Sequence, residues 1–178
     1  MEPFVAKLVE SDLPKTQYSI DLDWAEVRRV LEMEVPQDFR ELLEAGGGGV
    51  WFDYIAVYVP GSQWGDNNLL DSVYGFGDLE DFWQGGGSPP ADPMPEGVRL
   101  ISWASTAGGE EIYWWVDARE SRATYPILIG SEEGLRWERY EMGVAEFLWK
   151  IKARQIEPGL FSTFLLDLDG PAFRAYES

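Results

Sequence analysis

Arg99-Leu100-Ile101-Ser102-Trp103-Ala104, Glu110-Glu111-Ile112-Tyr113-Trp114-Trp115-Val116, Tyr125-Pro126-Ile127-Leu128-Ile129 and Leu135-Arg136-Trp137-Glu138-Arg139-Tyr140 follow one another closely along the chain. Each run is rich in β-branched and aromatic residues. The segments between them, residues 105–109, 117–124 and 130–134, are short enough for hairpins, so the stretch predicts four strands of an antiparallel meander. In the second run, alternation sets Ile112, Trp114 and Val116 on one face and Tyr113 and Trp115 on the other. Val144, Phe147, Leu148 and Ile151 then recur at i, i+3, i+4 and i+7, which closes the meander with an amphipathic helix.

Toward the N-terminus the pattern turns helical. Residues 1–19 read as a polar leader. Asp21 or Asp23 is placed to cap a short helix carrying Trp24, Val27, Val30 and Leu31. A second helix follows, with Pro36 at its first position, Asp38 at its positive dipole end, Phe39, Leu42 and Leu43 as its buried stripe, and Gly46 as a left-handed C-cap. Gly46 to Gly49 release the chain into a strand over 54–59, ended by Pro60-Gly61. Residues 69–83 predict a helix, although Gly75 and Gly77 each cost it about 1 kcal/mol relative to alanine. Residues 85–97, with Gly85-Gly86-Gly87-Ser88-Pro89-Pro90, read as a mobile loop. The tail, 153–178, carries Leu160, Phe161, Phe164, Leu165, Leu166 and Phe173 as packing residues. Helices, then an antiparallel run, then a helix predict an α+β fold: a sheet of five to six strands with helices mainly on one side. The 178 residues suit one domain with its core over 20–152.

Composition excludes more than it names. The chain has no cysteine and no histidine, which removes disulfides, thiolate metal sites, Ser-His-Asp and Cys-His catalysis and His-ligated zinc. Carboxylates, Lys, Arg, Tyr and Ser/Thr remain. Fourteen basic against 32 acidic residues give a net charge of −18. Such a surface repels nucleic acid and anionic membrane, and attracts a basic protein. Between Arg40 and Arg99 there is no basic residue, yet that stretch carries ten acids, Asp78, Glu80 and Asp81 among them. Met1-Glu2-Pro3-Phe4 lacks the charged and apolar regions of a signal peptide, and the expected location is the cytoplasm.

The order of motifs resembles the SUKH superfamily of fungal cell-wall-synthesis regulators and bacterial toxin-immunity proteins. The similar pieces run from Ile20-Asp21-Leu22-Asp23-Trp24 through Val35-Pro36-Gln37-Asp38-Phe39-Arg40-Glu41-Leu42-Leu43, Phe52-Asp53-Tyr54-Ile55, Val59-Pro60-Gly61 and Asn67-Asn68-Leu69-Leu70. Leu100-Ile101-Ser102-Trp103, Gly109-Glu110-Glu111-Ile112-Tyr113-Trp114, Tyr125-Pro126-Ile127 and Glu146-Phe147-Leu148 continue in family order. The resemblance implies a protein-binding α+β module without shared catalytic residues, and for bacterial members neutralisation of a cognate toxin. A regulatory scaffold without a toxin is the alternative that the fungal members imply.

Asp78, Glu80, Asp81, Trp83, Trp103, Glu110, Glu111 and Trp115 are the candidate partner-binding residues. Acids beside aromatics suit a grip on Lys and Arg. The face holding Tyr113 and Trp115 is either covered by the C-terminal tail or open as an aromatic platform. A carboxylate-dependent glycan-active enzyme needs two acids facing one bond. Glu110 and Glu111, adjacent on a strand, point to opposite faces. Asp167-Leu168-Asp169-Gly170 resembles the start of a calcium loop but lacks its later ligands. No catalytic residue, metal or cofactor is expected, and the state is a monomer or a weak dimer.

Overall fold

A computed structural model describes residues 1–14, 21–120 and 124–176 of the chain. Residues 15–19 of the expected leader and the centre of the 117–124 turn lie outside the described residues. The elements, in order, are α1 (Pro3–Ser11), α2 (Trp24–Leu31), α3 (Gln37–Gly46), β1 (Gly49–Trp51), β2 (Ile55–Val57), α4 (Ser72–Gln84), β3 (Val98–Thr106), β4 (Glu111–Asp117), β5 (Ile127–Gly130), β6 (Trp137–Tyr140), α5 (Val144–Lys152) and β7 (Phe173–Ala175). Two short 3-10 segments, Ser62–Asn67 and Leu69–Asp71, lead into α4.

The fold is α+β, with one antiparallel sheet of seven strands in the order β6-β5-β4-β3-β2-β1-β7. Strands β1 to β6 form the meander. The tail then returns to lay β7 along β1, pairing Gly49 with Ala175 and Trp51 with Phe173. A Cβ at Gly49 would stand 2.4 Å from the Arg174 carbonyl oxygen, so this close approach of two backbones requires glycine.

Helices α1, α3 and α5 pack against one another. They cover the face built by Trp103, Trp114, Ile112 and Ile127, all fully buried. Trp103 and Trp114 stack with ring centroids 6.2 Å apart, and Phe39 of α3 meets Trp114 edge-on at 5.0 Å. Trp103 lies in this layer by strand alternation with Ile101, and a bulge beside it, with Ser102 opposite Tyr113 and Ala104 opposite Ile112, turns Ala104 to the same face. The opposite face, built on Leu100, Tyr113 and Leu128, is covered by Phe76, Leu79 and Trp83 of α4 and by Met94.

Three expectations are corrected. The polar leader contains α1, whose Val5 and Leu8 are wholly buried against the core, because Phe4, Val5, Leu8 and Val9 make an apolar helical face. The C-cap of α3 falls on Gly47, at φ 73°, one residue beyond Gly46. The second sheet face is covered by α4 rather than by the tail. Residues 85–97 form the expected loop, which meets that face at two points: the indole N–H of Trp137 donates to the Ser88 carbonyl at 2.7 Å, and Met94 packs there. Among the described residues no helix is long and apolar enough to cross a membrane.

Candidate functional site

Helix α4 presents two unlike faces. Phe76, Leu79 and Trp83, at i, i+3 and i+7, face the sheet, and Ser72 anchors the first turn by donating to the Ser102 carbonyl at 2.6 Å. One half-turn round, Tyr74, Asp78 and Asp81 fall at i, i+4 and i+7 and are all exposed, with Glu80 and Phe82 on either flank. Tyr74 is 72% exposed and Phe82 44%, which is unusual for large aromatics. Phe82 lies over the β5–β6 turn: a Cβ on Gly134 would come within 3.0 Å of its ring. The turn adds Glu132, Glu133 and the half-exposed Leu135 to the same neighbourhood. Among the described residues, no Lys or Arg pairs with Asp78, Glu80 or Asp81.

The other candidates are placed differently. Trp83 belongs to the inner face, edge-on to Phe76 at 6.0 Å and to Trp137 at 6.3 Å. Trp115 is half-buried beneath Arg139, whose guanidinium sits 4.8 Å from its ring centroid. Trp103 is fully buried, so it cannot touch a partner directly. Glu110 is 4% exposed and accepts hydrogen bonds from the Tyr54 hydroxyl, at 2.8 Å, and from Thr106. These two placements correct the sequence expectation: alternation with Ile101 sets Trp103 on the helix-covered face, and Glu110 is drawn in by Tyr54 and Thr106.

Glu111 lies on the opposite side of β4 from Glu110. It accepts from the Tyr58 hydroxyl at 2.9 and 3.0 Å and from the Ser102 hydroxyl. Burial pushes its carboxyl above the ordinary value, while the bonds from Ser102 and Tyr58 pull the other way. The same burial, with Glu111 beside it, pushes the Tyr58 phenol up to about 12. Glu110 and Glu111 therefore anchor separate hydrogen-bond clusters and do not converge on a common bond.

Three carboxylates, Glu2, Asp38 and Glu146, line one cleft of about 310 Å³. Asp38 is committed to structure, since its two oxygens accept the backbone N–H groups of Phe39 and Ala145, and Glu146 pairs with Lys150 at 2.8 Å. Asp167 accepts from the backbone N–H groups of Asp169 and Gly170, and Asp169 pairs with Arg154. Among the described residues no cluster of three or more acids is arranged to hold a metal ion.

Tyr74 is the surface residue that sequence reading missed. Its signal is the helical phase it shares with Asp78 and Asp81. No protein-family model, curated protein or solved structure matches this chain.

Proposed function

We propose that this chain is a cytoplasmic, non-enzymatic protein-binding module whose outer α4 face docks a basic protein. The specific case that the SUKH resemblance implies is an immunity protein occluding a cognate toxin. The observation carrying the reading is the exposed stripe of Tyr74, Asp78 and Asp81, flanked by Glu80 and Phe82, on a helix with no basic residue of its own. Exposed aromatic rings offer apolar area and cation-π contacts to Lys and Arg, and the surrounding acids steer a cationic surface toward them. Gly75 and Gly77, with open space where a side chain would be, leave the helix backbone accessible.

The test begins with immobilised chain, host lysate at low salt and stepwise salt elution. A basic protein recovered in this way is then expressed alone and together with this chain. Growth arrest relieved by co-expression supports the immunity role; a harmless basic partner supports docking and removes the toxin. An eluate in which no protein is released by salt contradicts electrostatic docking.

A further inference from the structure

The cleft between α2 and α3 stands apart from the α4 surface and has the opposite charge. It measures about 340 Å³ and is lined by Trp24, Ala25, Arg28, Glu34, Val35 and Arg40. Arg40 is the unusual member. Its Nε–H is shut away from solvent and meets no acceptor, and among the described residues its guanidinium makes no ion pair, in a chain with 32 acids. Arg40 as a whole is half-buried, and a guanidinium N–H withdrawn from water without an acceptor costs free energy.

The carboxylates that would ordinarily answer it are occupied. Glu44, at i+4 on the same helix, accepts the Trp24 indole N–H at 2.7 Å. Glu41 accepts from Gln37 and from the Glu2 backbone, each at 2.8 Å. Glu34 pairs with Arg28 at 2.7 Å, and both side chains of that pair are more than 60% exposed. An exposed pair of this kind is weak and readily exchanged.

We propose that this cleft binds a small carboxylate carrying an apolar body. The carboxylate would bridge Arg40 and Arg28, taking the place of Glu34 on Arg28, while the body lies against Trp24, Ala25 and Val35. The cleft lining carries two guanidinium groups against one carboxylate, which suits a monoanion, and Arg40 also lies in the field of Glu41 outside the lining. A phosphate dianion would meet Glu34, Glu44 and the field of the whole acidic chain. The planar guanidinium matches a carboxylate through paired N–H donors.

The probe is benzoate, titrated into full-length protein at constant ionic strength. The readouts are the Arg40 Nε–H and Trp24 indole N–H resonances, with chloride and inorganic phosphate as comparisons. Benzoate moves both resonances saturably. Arg40→Gln, shown folded by circular dichroism, weakens the interaction by at least about tenfold, as expected for a lost charge-assisted pair. Glu34→Gln strengthens it, because the internal competitor is gone; this variant leaves Arg40 in place and serves if Arg40→Gln does not fold. The proposal is overturned by shifts that never saturate, by equal benzoate affinity in Arg40→Gln, by unchanged or weaker binding in Glu34→Gln, or by tighter binding of phosphate than of benzoate.

Discussion

Asp38 on α3 accepts the backbone N–H of Ala145 at 2.9 Å, so a carboxylate from one helix caps another helix 107 residues further along the chain. The N-cap residue of α5 is Gly143, which has no side chain to do this, and a Cβ there would come within 2.6 Å of an Asp38 oxygen. The glycine and the aspartate are therefore one device: one leaves the space, the other fills it with an acceptor. Asp38→Ala removes the cap and leaves buried N–H groups unpaired, at about 1–2 kcal/mol. Thermal unfolding checks this, with Tm expected to fall by roughly 2–4 °C per kcal/mol for a chain of this size. Gly143→Ala should destabilise as well, through the collision with Asp38.

Leu8 distinguishes a leader from a core helix. It is wholly buried beneath α1, so Leu8→Ala should cost about 2–5 kcal/mol in urea denaturation, the range for truncating a packed aliphatic side chain. A change within about 0.5 kcal/mol, the usual size for a surface position, would place residues 3–11 outside the cooperative fold.

Gly75 and Gly77 sit inside α4 with nothing within 4 Å of an added Cβ. Each alanine substitution should therefore stabilise the chain by up to about 1 kcal/mol. Denaturant midpoints of the two variants measure this directly, and a loss of stability would mean that neighbouring groups do pack against these positions.

Glu111 gives a pH dependence with a definite sign. Its carboxyl is held above the ordinary value of 4.5, burial being the largest cause, so the folded chain binds this proton more tightly than the unfolded chain. The stability it contributes is complete below about 4.5 and is lost as pH rises through the folded value. Glu111→Gln keeps an acceptor for Tyr58 and has no charge to desolvate. Its Tm relative to the parent should rise as pH goes from about 4 to about 7; a difference that stays flat or shrinks would contradict the assignment.

The meander and α5 were legible because their periods were uninterrupted: alternation over 110–116 and the apolar recurrence from Val144 to Ile151. The β1–β2 hairpin was not. Its turn places Phe52 and Asp53 at φ 56° and 52°, where a sequence reader looks for Asn-Gly, and the fold compensates by hydrogen-bonding Phe52 to Ala172 and Asp167 of the tail. Three-residue strands such as β1 and β7 are too short to show a period, and β7 exists only because β1 offers it an edge. At the candidate site, the exposure of Asp78 and Asp81 followed from charge. The burial of Trp103 depended on which sheet face the helices cover, which the strand's own alternation does not announce, and Glu110 was drawn inward by Tyr54, 56 residues away.

The docking role of α4 is the central claim, and charge reversal tests it most directly. Parent chain and the triple variant Asp78→Lys, Glu80→Lys, Asp81→Lys, both confirmed folded, are immobilised in parallel. Association with the salt-eluted partner is followed at two ionic strengths. The account predicts at least a tenfold loss of affinity in the variant, carried mainly by slower association, and a salt dependence that is strong for the parent and weak or inverted for the variant. Equal affinity and equal salt dependence in the two proteins would remove α4 from the interface.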